Sequence, residues 1–171
     1  MDMTAASRLL KWYRSNGRDL PWRRTRDPYR ILVSEIMLQQ TQVERVKDYY
    51  HRWLKQFPNW KTLARASNAQ VITTWSGLGY NRRALVLRDI AKEVSKKGVP
   101  QTEEDWIALK GIGPYTSAAV SAFAQKKRTM PIDTNIRRVL GRLLFGITFP
   151  QLKEDDRIRK EIDSFLPTRG H

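Results

Sequence analysis

The chain has 171 residues, 40% of them hydrophobic, which suffices for one sizeable domain or two small lobes and argues against intrinsic disorder. Its net charge of +15 and its pI of about 10.5 favour a polyanionic partner, and its six Trp and six Tyr favour nucleic acid, because aromatic rings stack on bases. The absence of cysteine excludes disulfides, zinc–thiolate sites, iron–sulfur clusters and thiol nucleophiles, and two His argue against a histidine-rich metal site.

The cellular location is predicted from what the sequence lacks. Residues 1–7 have no basic region followed by an apolar run, so we expect no signal peptide. No apolar stretch approaches the length that crosses a bilayer. We therefore expect an intracellular protein of the cytoplasm or nucleoid that does not bind membranes.

Hydrophobic residues recur at spacings of three and four along nearly the whole chain, which predicts an all-α fold of about nine short helices. Asp27-Pro28 predicts a helix start with a capping side chain and proline in the first turn. Ser67 and Thr102 are predicted N-caps, and Asp133 fits the same role before a helix at 134–145.

The predicted helix at 28–40 is apolar on nearly every side, which is typical of a buried helix, and Glu35 lies in its middle. A carboxyl group in apolar surroundings resists ionisation, so its pKa should rise and it could donate a proton to a leaving group. A buried ion pair with Arg18 or Arg23 explains the same pattern equally well.

A glycine hairpin, Gly111-Ile112-Gly113, separates two short predicted helices. Glycine allows a close backbone approach, and amides at the start of the following helix can bind a phosphate. An ordinary tight turn is the alternative. Lys110 and the basic run at 126–128 strengthen the phosphate interpretation.

Asp133 follows the hairpin by twenty residues, and a helix cap is the commonest explanation for an Asp there. A carboxylate at a helix N-terminus also stays ionised and could stabilise a cation that develops at a sugar carbon. Two carboxyls with separated pKa values are the pattern of glycosidic-bond cleavage, with Glu35 as acid and Asp133 as anion, both facing one extruded nucleoside.

Other side chains have both a structural and a DNA-binding interpretation. Gln39, Gln40 and Thr41 could cap the buried helix or enter a duplex, and Tyr80 could be a core ring or a wedge that fills the gap left by an extruded base. Basic residues of the 134–145 helix could line a DNA face, with a merely solvent-exposed position as the alternative for Arg138 and Arg142. Most of the tryptophans are expected in the core or at its boundary. These residues are Arg137, Arg138 and Arg142, and Trp12, Trp53, Trp60, Trp75 and Trp106.

Two pairs of segments, 18–23 with 34–43 and 109–116 with 132–135, together resemble the helix-hairpin-helix (HhH-GPD) DNA glycosylases, and most closely those of the MutY type that remove adenine. The resemblance runs from about residue 8 to about residue 170. It implies one catalytic region over 1–171 made of two helical lobes that flank a DNA cleft. One lobe is expected at about 28–134, and a second, incomplete lobe at about 1–27 plus 135–171.

The resemblance also implies roles for individual residues. Glu35 matches the acid that protonates adenine, and Asp133 matches the carboxylate that stabilises or captures the oxocarbenium ion. Tyr115 stands where bifunctional relatives carry a lyase lysine, so base removal without efficient strand cleavage is implied. The implied base pocket comprises Arg18, Leu20, Trp22 and Arg23. The implied DNA contacts are Gln39, Gln40, Thr41, Tyr80, Lys110, Gly111, Ile112, Gly113, Tyr115 and Thr116.

Some features of the family are not found in this sequence. The family usually continues with a helix that carries another pocket Glu, a four-cysteine iron–sulfur loop and a C-terminal domain that helps recognise 8-oxoguanine. Residues 166–171 resemble the segment that leads into that helix. No cofactor and no side-chain metal site are expected, although the hairpin of the family often holds a monovalent cation through backbone carbonyls, here those of Lys110 and Ile112.

The sequence therefore predicts a monofunctional DNA glycosylase that acts as a monomer on double-stranded DNA and hydrolyses the N-glycosidic bond of adenine mispaired with guanine or 8-oxoguanine. A thymine mismatch glycosylase is the first alternative. A module that binds or scans DNA with little or no catalysis is the second.

Overall fold

The structure is a computed structural model that describes residues 5–163, with side chains described for residues 7–162. Within these residues there are helices and no strands, so the predicted all-α class is confirmed. The α-helices are α1 Ala5–Asn16, α2 Pro28–Leu38, α3 Val43–Gln56, α4 Trp60–Arg65, α5 Asn68–Trp75, α6 Arg82–Lys97, α7 Glu103–Ile107, α8 Pro114–Phe123, α9 Thr134–Phe145 and α10 Asp155–Asp163. Short 3₁₀ helices occur at Pro21–Arg23 and Leu152–Glu154.

All four predicted N-caps are confirmed. The Asp27 carboxylate accepts a hydrogen bond from the Tyr29 amide at 2.9 Å, with proline at the first helical position of α2. Ser67 and Thr102 each form a reciprocal capping box, in which a side chain three residues later binds the cap amide. Asp133 accepts from the Ile136 amide at 2.7 Å. The breakers and caps of the sequence thus set where these helices begin.

Helix α2 is the buried centre of the fold, as predicted. Every residue from Ile31 to Met37 is buried, and the helix packs against α3, α6, α8 and the first 3₁₀ helix. It ends at Leu38, two residues before the predicted end at residue 40, because Gln39 leaves helical geometry with ψ 110° and Gln40 has φ +55°.

The tryptophans form much of the core, with one exception. Trp53, Trp75 and Trp106 are fully buried, and Trp53 packs edge-on against Trp75 with ring centroids 5.3 Å apart. The core prediction for Trp12 is wrong: its side chain is 58% exposed, because no described element covers that side of α1.

Arg137 does not lie on an exposed face, so the prediction that it could line a DNA face is wrong. It is only 9% exposed, and its guanidinium forms a two-pronged pair with Asp155, at 2.5 and 2.8 Å, that joins α9 to α10. A bidentate pair of this kind fixes the relative position of two helices. The division into lobes at about 28–134 stays a prediction, and residues 166–171 lie outside the described residues.

Two further classes of feature were sought in residues 5–163. No helix there is both long enough and apolar enough to cross a membrane. The same residues contain no group of three or more His, Asp or Glu side chains placed to hold a metal ion.

Candidate active site

The site is built around Glu35, which α2 carries into a cavity of about 970 Å³. Its side chain is 8% exposed, at the edge between the apolar core and this cavity. The four residues predicted for the base pocket, Arg18, Leu20, Trp22 and Arg23, all line the same cavity, here called the Glu35 cavity. Leu20 and Trp22 are buried, whereas the two arginines are exposed.

Burial raises the pKa of Glu35 to about 7. Desolvation is the main cause, a hydrogen bond from Tyr115 opposes it, and the nearby charge of Asp133 adds to it. The ion-pair interpretation is wrong, because no pair joins Glu35 to Arg18 or Arg23 in the described part of the chain. Arg23 instead donates to the backbone carbonyl of Arg18 at 2.9 Å. Glu35 is therefore an acid that holds its proton close to neutral pH.

Tyr115 connects the hairpin to this acid. It is the second residue of α8, which begins at Pro114 directly after the hairpin, and its ring is 37% exposed. As a hydrogen-bond donor its phenol favours the ionised form of the nearby Glu35 carboxyl. Burial, together with the charges of Glu35 and Asp133, raises the pKa of Tyr115 above its ordinary value. Tyr115 therefore stays a neutral donor beside Glu35.

Asp133 lines a different cavity from Glu35. Its carboxylate is half-buried at the N-terminus of α9 and borders a cavity of about 840 Å³, here called the Asp133 cavity, which Ile36 of α2 also lines. Glu35 and Ile36 are consecutive, so the two cavities adjoin across α2. The expected single shared cavity is thus divided, although the charge of Asp133 still acts on both Glu35 and Tyr115.

The predicted duplex-contacting residues gather at the Asp133 cavity. Gln39, Gln40 and Tyr80 line it, and Tyr80 is 68% exposed. Gln40 (φ +55°) and Tyr80 (φ +50°) both have left-handed backbones, a conformation that costs energy in residues other than glycine and clusters at functional sites. Thr41 is half-buried beside them.

The hairpin holds its shape through Gly111. This residue has φ +96°, and a Cβ there would overlap a methyl group of Val86 on α6. Ile112 packs into the core, and the Thr116 side chain is only 4% exposed, so a DNA contact at either residue would involve the backbone. Lys110 and Gly113 are exposed. The cation expected at the carbonyls of Lys110 and Ile112 stays a prediction.

Cationic residues that the sequence analysis did not assign to the pocket surround the Glu35 cavity. Arg24, Arg26 and Lys127 join Arg18, Arg23 and Lys126 in its lining, and among the described residues Glu35 is the one carboxyl group there. The basic run at 23–26 of the sequence could have indicated these cations. Arg83, which binds the end of α2, was missed as well, since one arginine within a basic helix has no distinguishing pattern.

The sequence matches a known family over most of its length. The model of the HhH-GPD superfamily of base excision DNA repair proteins matches residues 33–167. The chain belongs to this superfamily. The matched range includes Glu35 on α2, the glycine hairpin before α8, and Asp133.

Curated relatives of this HhH-GPD chain are adenine DNA glycosylases. That of Mycobacterium tuberculosis is 39% identical over 165 residues, covering 94% of this chain and 54% of the relative. That of Rattus norvegicus is 43% identical over 155 residues, covering 83% of this chain and 30% of the relative. The chain thus spans about half the length, or less, of these two relatives.

Solved structures show the same fold. A thermostable thymine-DNA glycosylase superposes with a TM-score of 0.83 at 29% identity, covering 93% of this chain and 75% of its own. A non-covalent endonuclease III–DNA complex superposes with a TM-score of 0.74 at 18% identity, covering 96% and 82%. The two-lobed helix-hairpin-helix fold predicted from the sequence agrees with these neighbours.

Replacement of Gly111 by alanine should destabilise the protein by about 1–2 kcal/mol or more, because the left-handed backbone and the contact with Val86 both oppose a Cβ. Urea unfolding measures the change. The double variant Gly111→Ala/Val86→Ala separates the causes: it keeps the backbone strain and removes the overlap. Wild-type stability in the single variant would contradict the hairpin geometry.

Replacement of Glu35 by Gln should stabilise the fold above neutral pH. The pKa of Glu35 is higher in the folded than in the unfolded state, so folding stability falls as pH rises from about 4.5 to about 7. The penalty removed at pH 8 is up to about 3 kcal/mol, and it vanishes near pH 4. Unfolding at both pH values measures it. Glu104→Gln, an exposed control, should show no such pH dependence; equal gains for Glu35→Gln at both values would contradict the burial argument.

Proposed function

We propose that the protein is a DNA glycosylase that hydrolyses the N-glycosidic bond of adenine mispaired with guanine or 8-oxoguanine. The observation that carries the proposal is the neutral, buried Glu35 at the wall of a cation-lined cavity, coupled to the carboxylate of Asp133. The names of the curated relatives support the choice of adenine. Because these relatives are longer than this chain, its activity, substrate and partner are proposals.

In the proposed reaction, Glu35 donates its proton to a ring nitrogen of the flipped adenine. The bond between that base and the sugar then breaks, and the bonding electrons leave with the base. The sugar becomes an oxocarbenium ion, which the negative charge of Asp133 stabilises. Water adds at the sugar carbon and loses a proton, so the products are free adenine and an abasic site.

Tyr115 orients the acid in this scheme and forms no covalent bond. A phenol cannot form the Schiff base on which strand cleavage by a lyase depends. Its hydrogen bond also limits how far the pKa of Glu35 rises, which keeps the acid near the pH at which it must work. We therefore expect a monofunctional enzyme that leaves the strand intact.

The DNA would bind across both cavities. The cations around the Glu35 cavity would bind phosphates, and the hairpin amides would bind the backbone of the same strand. Gln40 and Tyr80 would enter the duplex on the side of the Asp133 cavity, where their exposed side chains lie. We expect a monomer to suffice, with no cofactor.

A thymine mismatch glycosylase is the second candidate. The structural similarity to a thermostable thymine-DNA glycosylase favours it, at a TM-score of 0.83 and 29% identity. Against it stand the Gln39-Gln40-Thr41 run and the higher identities, 39% and 43%, to adenine DNA glycosylases.

Single-turnover release of adenine from an A·8-oxoguanine duplex tests the proposal, with alkali cleavage revealing the abasic site. Glu35→Gln should lower the rate at least 100-fold, because general acid catalysis contributes about 10²- to 10⁴-fold. Asp133→Asn should lower it similarly. The wild-type rate should fall about tenfold per pH unit above pH 7, as Glu35 loses its proton.

The control for this experiment is Glu104→Gln, an exposed residue of α7 outside both cavities, which should retain the wild-type rate. Wild-type rates in Glu35→Gln and Asp133→Asn would refute the mechanism. Tight binding without adenine release at enzyme excess would instead support the DNA-binding module.

A panel of mispairs distinguishes adenine from thymine as the substrate. Duplexes with A·G, A·8-oxoguanine, T·G and normal A·T pairs should release base only from the first two. The ratio of single-turnover rates between A·8-oxoguanine and T·G should exceed about 100, since a site that hydrogen-bonds one base leaves polar groups unpaired with another. Faster release from T·G would replace the proposed substrate with thymine.

A further inference from the structure

Arg83 of α6 makes a set of contacts that no sequence pattern predicted. One of its terminal nitrogens donates to the backbone carbonyls of Ile36 at 3.0 Å and Met37 at 3.2 Å, and also to that of Gln39. The first two carbonyls belong to the last turn of α2 and the third to the residue that follows it, where the helix itself provides no partner. Arg83 therefore caps the helix that carries Glu35.

The second terminal nitrogen reaches beyond α2 to two other segments. It donates to Thr41 Oγ1 at 3.2 Å, to the Gly79 carbonyl at 3.1 Å and to the Leu78 carbonyl at 3.4 Å. Among the hydrogen bonds of the described residues, those of Arg83 alone join residues 39–41 to the turn at 77–79. The planar guanidinium also lies over the rings of Trp75 and Tyr80, 5.3 and 5.5 Å from their centroids.

These contacts enclose the two strained residues of the Asp133 cavity. Gln40 lies between two Arg83 acceptors, Gln39 and Thr41, and Tyr80 directly follows a third, Gly79. Left-handed backbones persist in such residues only where the surroundings determine them. The N–H groups of the two terminal nitrogens of Arg83 make all of these hydrogen bonds. A lysine could not replace them, because its single ammonium has three donors and cannot span two segments with a flat fork.

We propose that Arg83 is a positioning residue that holds Gln40 and Tyr80, here called the wedge pair, in one preformed arrangement for insertion into the duplex beside the target base. The insertion itself rests on the function proposed above. Preformation matters because a residue that must be ordered at the moment of binding lowers affinity and misplaces the reacting groups. Arg83 touches neither Glu35 nor Asp133 in the described contacts, so its effect should separate from that of the acid.

The first test needs no DNA. In amide hydrogen exchange of the free protein, Arg83→Lys should lose protection about tenfold or more at residues 39–41 and 77–80, where local opening becomes easier. Amides of Leu87 and Ile90, in the buried face of α6, provide the internal reference and should keep their protection. An even loss over both sets would overturn the proposal, since Arg83 would then be a general stabiliser.

Arg88→Lys is the matched control. Arg88 lies on the same helix, is half-buried, and like Arg83 has a buried Nε without a hydrogen-bond partner. Its guanidinium binds Asn68 and Asp89, neither of which belongs to residues 39–41 or 77–80. Its replacement should leave exchange at 39–41 and 77–80 unchanged. Equal effects of the two variants there would overturn the specific role of Arg83.

The second test uses a duplex with 2-aminopurine next to the mispaired adenine. The fluorescence of 2-aminopurine rises when the neighbouring base no longer stacks on it. Arg83→Lys should lose most of this rise and slow single-turnover adenine release about 10- to 100-fold. The pH at which release is half-maximal should stay at the wild-type value, because Glu35 is unaltered. Unchanged unstacking in Arg83→Lys, or a shifted pH midpoint, would overturn the proposal.

The two proposals fail in different ways. If the wild-type protein unstacks the duplex and releases no adenine, the glycosylase proposal is wrong while the role of Arg83 is still measured by unstacking and exchange. If adenine is released and Arg83→Lys matches the wild type in both readouts, the positioning role is wrong and the glycosylase proposal stands.

Discussion

The removal of the Glu35 carboxyl from water is the constraint on which the site depends. An ionised carboxylate in this position would carry a desolvation penalty, so the group keeps its proton to about pH 7. That outcome requires a helix that is apolar all round and buried. Helix α2 meets this requirement because it packs against α3, α6, α8 and the first 3₁₀ helix at once. The same burial that equips Glu35 as an acid costs the fold stability above neutral pH, which is a common trade between stability and function.

A buried helix with a functional residue must have both of its ends satisfied, and α2 does so by two different means. At its N-terminus the means is local. Asp27 accepts a hydrogen bond from the amide two residues later, and Pro28 has no amide N–H that needs a partner. At its C-terminus the carbonyls of residues 36, 37 and 39 are bound by Arg83, which comes from more than forty residues further along the chain. The first means is visible in the sequence, because it is a short-range pattern. The second depends on how α6 packs across α2, and a single arginine gives no signal of that.

The same distinction separates what could be predicted from what could not. The caps at Ser67, Thr102 and Asp133, the burial of α2 and the all-α class follow from local chemistry and hydrophobic periodicity, and all of them are confirmed. The side-chain pairings were harder. The alternative pairing of Glu35 with an arginine was as plausible as a neutral acid, and only the packing of α8, which brings Tyr115 to Glu35, decides it. Arg137 and Trp12 have ordinary sequence patterns. Arg137 is nevertheless buried in a pair with Asp155, and Trp12 is exposed because no described element covers it.

The division between the two cavities gives the carboxyl pair its asymmetry. Glu35 lies in a wall of buried apolar residues, whereas Asp133 lies at the N-terminus of α9, where its Oδ1 accepts a hydrogen bond from the Ile136 amide and the helix dipole favours a negative charge. If both groups shared one dry cavity, their like charges would repel strongly. Separation across α2 weakens that repulsion without removing it, since the charge of Asp133 still acts on Glu35 and on Tyr115. Glu35 can then keep its proton close to neutral pH beside a second carboxyl group, which is the arrangement that the proposed reaction requires.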